Sequence, residues 1–164
     1  MKKKIYLIIS FILLFSIYAC TGYKPIFGSS NLQFEISDHS IDGDQKLGNQ
    51  IYSKLYNISQ SNKNTLETKS IYIKIKTTKE KIATAKDGTG KILQYKIILN
   101  TDVVVNDYLS QDELLNHNFV SSLSYKTQDQ YSETVKLENK STDDLINRTY
   151  QNLIIMLTES IAIK

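Results

Sequence analysis

The chain has 164 residues, a length typical of one domain; 41% are apolar and 23% charged, which favours a folded core over wholesale disorder. Its formal charge of +3 arises at the N-terminus, because residues 1–19 hold three lysines and no acid, leaving 17 basic and 17 acidic side chains elsewhere. This balance argues against a dedicated nucleic-acid binder. A single cysteine excludes an intrachain disulfide and a thiolate metal cluster, and two histidines offer little acid–base chemistry.

The N-terminus has the organisation of an export signal. Three lysines at positions 2–4 precede an uncharged apolar run from Ile5 to Tyr18. As a helix, a run of about fourteen residues spans roughly 21 Å, which is short of the ~30 Å hydrocarbon core of a membrane. The length therefore predicts a cleaved signal peptide over residues 1–19 and disfavours the alternative, a permanent membrane anchor.

The sequence Ile17-Tyr18-Ala19-Cys20 at the end of this run resembles a bacterial lipobox. The resemblance implies that Cys20 receives a diacylglyceryl group on its sulfur, that cleavage follows Ala19 and that the new amine is acylated. Each buried methylene contributes ~0.8 kcal/mol, so several acyl chains would hold the domain at a membrane. The alternative is a buried structural cysteine. Thr21 follows, and the absence of Asp at that position permits sorting to the outer membrane.

The mature chain begins with a predicted tether and then a single domain. Residues 20–30 contain the only proline, two glycines and a serine pair, a composition typical of an extended linker, and residues 31–164 are predicted to form one α+β domain. Alternating apolar residues predict a short first strand at Leu32, Phe34 and Ile36. A helix start at residues 42–44 precedes one apolar stripe of an amphipathic helix, which consists of Leu47, Ile51, Leu55 and Ile58.

The next two strands form a predicted long hairpin. Ile71, Ile73 and Ile75 alternate with polar residues, and a second apolar series occupies the odd positions from Leu93 to Val105. Between them, residues 86–91 form a turn sequence with Asp-Gly at its centre. A fourth strand is predicted around Phe119, after a polar connection that covers residues 107–118.

A C-terminal helix is predicted from residue 145 to 163, with its start marked by Ser141-Thr142-Asp143-Asp144. Its apolar face is broad, which favours cover by the sheet and the first helix, although contact with a partner protein is the alternative. The element order is β-α-β-β-β-α. We expect a two-layer α+β sandwich with two helices on one face of a four-stranded, mostly antiparallel sheet.

The start of the mature chain reads Cys-Thr-Gly-Tyr-Lys-Pro-Ile-Phe-Gly from Cys20 to Gly28. It resembles the LptE family of lipopolysaccharide-assembly lipoproteins, one branch of which opens with Cys-Gly-Phe/Tyr-basic-Pro-Leu-Tyr/Phe-Gly. Gly22 to Gly28 follow that order, and Thr21 is one extra residue. The stretch from Gln94 to Leu99 is similar to the polar-Tyr-x-Leu opening of a long family strand, and the predicted element order also fits the family.

The resemblance implies a lipid-anchored protein on the periplasmic face of the outer membrane, held in the inner leaflet through Cys20. It implies two partners, an LptD-like outer-membrane β-barrel that the domain plugs or chaperones and the lipopolysaccharide that the family binds. The implied role is non-enzymatic assistance of lipopolysaccharide assembly and transport to the cell surface. No cofactor, metal or nucleic acid is expected.

The predicted hairpin is strongly basic. Between residues 74 and 96 lie seven lysines and only two acids, a local net charge of +5. One interpretation is that edge lysines keep the sheet from pairing with other chains. The other is an anionic partner, for which the phosphates of lipopolysaccharide are the natural candidate given the resemblance. The candidate binding residues are Lys79, Lys81, Lys86, Lys91 and Lys96.

Two other functions remain as hypotheses. One is a generic lipid-anchored periplasmic binding or scaffold domain with no link to lipopolysaccharide. The other is a lipid-anchored hydrolase, which requires an acid–base group around His39 or His117. These histidines lie 78 residues apart in predicted loops, without further ligands at metal-binding spacing, so surface roles are favoured and no catalytic residue is assigned.

Overall fold

The computed structural model describes residues 34–61 and 68–162. The predicted signal peptide, the tether with Cys20, Leu32 and the last two residues lie outside these ranges. The described elements are, in chain order, β1 (Phe34–Gly43), α1 (Gln45–Ser61), β2 (Lys69–Lys86), β3 (Ile92–Asp107), β4 (Glu113–Lys126) and α2 (Tyr131–Ala162).

The four strands form one mixed sheet in the order β1-β2-β3-β4. β1 runs parallel to β2, from the pair Phe34–Lys69 to the pair Gly43–Thr77, and α1 makes the crossover that a parallel pair requires. β2, β3 and β4 are antiparallel neighbours. α1 packs mainly on β1, α2 mainly on β4, and the helices contact each other. The predicted α+β fold, with its element order, is confirmed.

The core lies between the helices and the odd-numbered residues of β2, β3 and β4. Ile71, Ile73 and Ile75 are fully buried, whereas Lys74 and Lys76 between and after them are exposed on the opposite, open face. The largest fully buried side chains are Phe34, Ile51, Leu55, Ile71, Ile73, Ile75, Ile97, Leu99, Leu145, Ile146, Leu153 and Leu157.

A bulge in β1 reverses which residues face the helices. The pairing of β1 with β2 shifts between Ile36 and Asp38, so the alternation changes phase there. Ile36 is buried before the shift, and His39 faces α1 after it, where its ring stacks on Tyr52. Ile41 also points to α1, because a Cβ on Gly48 would lie 2.5 Å from its Cγ2 atom.

The sheet is longer than its helical cover at the hairpin end. β1 stops at Gly43, opposite Thr77, whereas β2 continues for nine residues from Thr78 to Lys86. We call this part of the sheet, with the paired segments of β3 and β4, the distal half. The remainder, which carries α1 and most of the apolar core, is the proximal half.

The predicted hairpin turn is confirmed at residues 87–91, between the end of β2 and the start of β3. The Asp87 carboxylate accepts hydrogen bonds from the backbone N–H groups of Thr89 and Lys91, at 2.9 and 3.0 Å, and from the Thr89 hydroxyl at 2.6 Å. These bonds, with the Thr89 hydroxyl first, lower the pKa of Asp87. Gly90 has a φ of 87°, a conformation that favours glycine.

α2 begins ten residues before the predicted start sequence. The helix starts at Tyr131, and the Thr134 hydroxyl accepts a hydrogen bond from the backbone N–H of Gln128 at 2.8 Å near its first turn. Ser141 and Thr142, predicted as capping residues, are instead buried inside the helix, and the Thr142 hydroxyl donates to a backbone carbonyl four residues earlier. Hydroxyl side chains favour both helix starts and such internal bonds, so the prediction of the start was wrong.

β4 also begins earlier than predicted, at Glu113, so half of the predicted polar connection, residues 113–118, is strand. The actual loop is short because the Asp107 carboxylate accepts hydrogen bonds from the backbone N–H groups of Leu109 and Ser110, at 2.9 and 3.0 Å. These bonds lower the pKa of Asp107. Gln111 adopts a φ of 62° to complete the tight return.

Candidate functional site

The five candidate lysines do not form one patch. Lys79 and Lys81 follow the phase of the core residues of β2 and face the same side as the helices, where both contact α2. Lys96 has the opposite phase and lies on the open face, opposite Ser124 of β4. Lys86 and Lys91 flank the hairpin turn, and both are exposed. The hairpin therefore presents positive charge in three directions.

Glu138 of α2 holds the two helix-side lysines. Its carboxylate oxygens lie 2.5 Å from Nζ of Lys81 and 3.6 Å from Nζ of Lys79. The hydroxyl of Tyr125 donates a hydrogen bond to the same carboxylate, at 3.1 Å. Lys81 also lies over the ring of Tyr95, 4.3 Å from its centroid, a cation–π geometry. We call this set the Glu138 cluster: Lys79, Lys81, Tyr95, Tyr125 and Glu138.

The cluster shifts the pKa of Glu138 and the pKa of Lys81 in the directions that favour their ionised forms. Burial alone raises the pKa of Glu138, but the hydrogen bonds from Lys81 and Tyr125 and the charges of both lysines outweigh it and leave that pKa below its ordinary value. The hydrogen bond to Glu138 raises the pKa of Lys81, against the smaller opposing effect of burial. Both charges are therefore stable over a wide pH range around neutrality.

These contacts divide the candidate lysines by role. The side chains of Lys79 and Lys81 are only 29% and 35% exposed to solvent, and both form ion pairs with the same carboxylate. Lys86 and Lys91 stand at the exposed turn, so they are the freest of the five to meet a ligand. Sequence reasoning missed Glu138, because it lies 57 residues from Lys81 and nothing in the local pattern links them.

The open face is a mixture of polar and apolar side chains. Lys74 pairs with Asp42 at 3.2 Å, and both side chains are 49% exposed. The Asn118 amide donates to Asn100 at 2.6 Å and to Asp102 at 2.5 Å, linking β4 to β3. Val120 on β4 is 65% exposed. No helix covers this face among the residues that the structure describes.

The two histidines lie on strands and not in loops, which corrects the prediction. His39 belongs to β1 and stacks on Tyr52 with ring centroids 3.9 Å apart, whereas His117 belongs to β4 and meets the edge of Phe119 at 4.6 Å. β1 and β4 are opposite edges of the sheet. Within residues 34–61 and 68–162, no group of three or more His, Cys, Asp or Glu side chains is placed to hold a metal ion.

Comparison with known proteins shows similarity at the level of structure. No protein-family model matches the chain, and no curated protein matches it. Rare lipoprotein B from Shewanella oneidensis superimposes with a TM-score of 0.54 at 11% identity, over 77% of this chain and 98% of that one. A minor lipoprotein from Acinetobacter baumannii gives 0.55 at 10% identity, over 78% and 92%. Lipoprotein B from Nitrosomonas europaea gives 0.55 at 18% identity, over 80% and 87%.

The fold is therefore one that several bacterial lipoproteins share. Identities of 10–18% establish the architecture alone. Neither helix in the described part of the chain combines the length and the apolar character needed to cross a bilayer. What the fold is used for follows from the residues of this chain.

Proposed function

We propose that the chain is a non-enzymatic, lipid-anchored assembly factor of the LptE type in the outer membrane. In this role the domain sits in or against an LptD-like β-barrel and assists the assembly of lipopolysaccharide at the cell surface. The observation that carries the proposal is a fold shared with bacterial lipoproteins, joined in sequence to the lipobox-like residues 17–20. The LptE-like opening of the mature chain makes the assignment specific.

The geometry of the sheet supports an anchored role. Phe34, where the described chain enters β1, pairs with Lys69 at the start of β2, whereas the basic turn follows the end of β2 at Lys86. At ~3.3 Å per residue, the 18 residues of β2 span roughly 56 Å. A lipid on Cys20 would therefore hold the end of the domain that is remote from the basic turn.

The surface suits the interior of a barrel. The lumen of a large outer-membrane barrel is polar, so a domain inside it needs polar and charged side chains on the faces that meet the barrel wall. The open face meets much of this requirement, because Lys74, Lys76 and Asp102 lie there among polar amides and hydroxyls, with Val104 and Val120 as apolar members. A domain of this kind fits a barrel partner without an extensive apolar interface.

Within this role, the turn lysines Lys86 and Lys91 are the residues we assign to the phosphates of lipopolysaccharide, with Lys96 as a further contact on the open face. Lysines bind phosphate as mobile point charges, so each contributes modestly. Lys79 and Lys81 serve instead to fix the hairpin to α2 through Glu138. Direct binding is thus expected to depend on the turn and only indirectly on the Glu138 cluster.

Two double variants separate these roles. Lys86→Gln with Lys91→Gln removes two exposed charges and should weaken lipopolysaccharide binding about fivefold at low salt, since exposed pairs contribute ~0.2–1 kcal/mol each. The difference should shrink as ionic strength rises. The matched control is Lys79→Gln with Lys81→Gln, which removes the same charge but should mainly lower stability. Equal loss of binding in both variants, with stability intact, would contradict the assignment.

The family-level proposal has its own test. Site-specific crosslinking in the native host should recover a large outer-membrane β-barrel as the main partner, and mass spectrometry of the mature protein should find Cys20 acylated. An acylated Cys20 without any barrel partner would favour the alternative, a generic lipid-anchored scaffold. A bare thiol at Cys20 would remove the lipoprotein assignment altogether.

A further inference from the structure

The two outer edges of the sheet differ sharply in charge. In the described residues β4 pairs with β3 alone, and its twelve residues from Leu114 to Tyr125 contain no Asp, Glu, Lys or Arg. On the other side, the part of β2 beyond β1 carries Lys79, Lys81 and Lys86 within nine residues. Lysines on an edge strand prevent pairing with other chains. The β2 edge has this protection and the β4 edge lacks it.

β4 also lacks the other devices that block an edge. It contains neither proline nor glycine. Its register with β3 runs without a shift from the pair Gln94–Lys126 to the pair Val105–Leu115, so no bulge bends the strand away over that length. A long, regular and uncharged edge presents a row of backbone N–H and C=O groups ready for a further strand.

The middle of this edge is accessible from both faces. Val120, on the open face, is 65% exposed, the highest value among the large apolar side chains of the sheet. Asn118 on the same face and His117 on the helix side are exposed as well. Exposure of His117 shows that α2 does not overhang the strand at this point.

We propose that β4 is a self-association edge, on which a second copy of this chain pairs its own β4 antiparallel about a two-fold axis at Val120. The two sheets then continue into one eight-stranded sheet with both helix layers on the same side. In this register Val120 faces its symmetry mate, Asn118 faces Ser122 and Asn116 faces Ser124. On the helix side His117 faces Leu123, so no like charges meet.

The register follows from the pattern of side chains. Moving the axis by two residues, to Asn118 or Ser122, places Val120 opposite Asn116 or Ser124 and leaves its apolar surface against a polar partner. Of these three axes, only the one at Val120 places its exposed apolar side chain against another apolar side chain, and contacts of this kind help to select register in a sheet. The surrounding amide and hydroxyl pairs are favourable cross-strand neighbours.

A second copy fits this edge better than other occupants. The wall strands of a closed barrel are already paired on both sides, so they have no edge to offer, and a lipid surface supplies no extended backbone. The β2 edge cannot form the same two-fold pair, because its lysines would be brought together. The β4 pair is small in area, so we expect a weak dimer that a covalent trap makes visible.

A cysteine scan tests the register. In the full chain, Val120→Cys places two thiols at a directly opposed pair, where Cα atoms ~4.5–5.5 Å apart permit a disulfide. Asn118→Cys or Ser122→Cys alone places the thiols roughly 14 Å apart, too far to bond, but a mixture of these two variants should cross-link. The parent chain, with Cys20 as its only cysteine, is the control for disulfides that do not involve β4.

A charge variant tests the same edge without a thiol. Val120→Lys should abolish the concentration-dependent dimer in analytical ultracentrifugation, because two like charges then meet at the axis. Thr78→Lys is the matched control, because it adds the same charge at an exposed position. Thr78 lies on the opposite edge of the sheet, in the same cross-strand row as Val120, since both pair with Asn100. It should leave the dimer unchanged.

The proposal stands if Val120→Cys alone, and Asn118→Cys with Ser122→Cys as a mixture, form disulfide dimers. Three results would overturn it: a chain that is monomeric at every concentration with no disulfide at Val120→Cys, cross-linking that is equal at all three positions, or a Val120→Cys disulfide formed only with a different protein. None of these outcomes depends on lipopolysaccharide binding or on a barrel partner.

Discussion

The proximal and distal halves of the sheet are held together by different forces. The proximal half is covered by α1 and α2 and is dry: Ile73 on β2 and Leu153 on α2 are fully buried. The distal half extends past the end of β1: its β3 segment still contributes the fully buried Ile97 and Leu99, but its β2 segment is held to α2 through the polar Glu138 cluster. Hydrophobic burial therefore carries most of the stability, and a small ionic network orients the projecting hairpin.

One sheet thus serves both as part of the core and as a projection from it. Beyond Thr77 the β2 strand of the hairpin has no buried side chain, so a few directed bonds replace packing there. Charge-assisted hydrogen bonds are stronger than neutral ones and are specific in direction. Lys79 and Lys81 are thus partly structural. Substitutions in the two halves should differ in the size and in the pH dependence of their effect on stability.

The largest effect is expected in the proximal core. Ile73→Ala removes a fully buried side chain from the centre of β2 and should lower the free energy of unfolding by about 2–5 kcal/mol, through lost burial and the cavity left behind. Chemical denaturation measures it. Ile82→Ala, at a position in the distal half that is 39% exposed, is the control and should cost far less. Similar losses at both sites would contradict the contrast between the halves.

The second-largest loss of stability is expected at the junction between the two halves. Gly43 has a φ of 75°, and a Cβ there would lie 2.3 Å from the carbonyl oxygen of Thr77, which accepts a hydrogen bond from the backbone of Asp44 at 2.7 Å. Gly43→Ala should therefore cost about 2–3 kcal/mol in thermal or chemical unfolding, from backbone strain and the displaced oxygen. Gly88→Ala, in open space at the hairpin turn, should be nearly neutral.

A smaller effect, with a distinct pH signature, is expected at the Glu138 cluster. Glu138→Gln should cost about 1–2 kcal/mol near neutral pH, the low end for bonds to a charged group because the partners are partly exposed. Glu133→Gln is the control, since its pair with Lys136 is largely exposed. Retention of full stability in Glu138→Gln would show that the cluster does not hold the hairpin.

The sign of the pH dependence follows from the direction of each shift. The pKa of Glu138 is lower in the folded chain than its ordinary value of 4.5, so its contribution is present above that value and is lost as pH falls through the folded pKa. The pKa of Lys81 is raised, so its contribution is present below 10.5 and is lost as pH rises through the folded pKa. As pH falls through the acidic range, the free energy of unfolding should therefore decrease less in Glu138→Gln than in the parent chain, which denaturation at a series of pH values measures.

The smallest effect is expected on the open face. Lys74→Ala breaks the ion pair with Asp42, but both side chains are 49% exposed, so solvent screens the attraction. We expect a change of no more than about 0.5 kcal/mol in chemical denaturation, and less at high salt. A loss as large as that of Glu138→Gln would mean that exposure does not separate the two ionic sites.

Much of this fold follows from sequence periodicity, and the exceptions have physical causes. The strict alternation of Ile71, Ile73 and Ile75 predicts both the strand and its buried face. The first ten residues of α2 escape such reasoning, because the buried position there is occupied by the hydroxyl residue Thr134 where an apolar residue is expected. The bulge in β1 is equally hard to predict from sequence, because one unpaired residue shifts the alternation of inward and outward side chains without any change in composition.

The candidate site could be predicted in part. The charge of the hairpin is evident from the sequence, and the odd positions of Lys79 and Lys81, shared with the core residues of β2, already indicate that they face the helices. Their partner Glu138 is not evident, because only the folded chain brings α2 over the hairpin. Alternation thus predicts on which side a charge lies but not what neutralises it.

The described chain enters β1 at the end of the sheet that is remote from the hairpin turn. The strands fix the separation between that entry and the turn at roughly 56 Å. Deleting two residues from each strand of the hairpin would bring the turn about 7 Å closer to the start of β1. How far the turn projects from this point is therefore set by strand length.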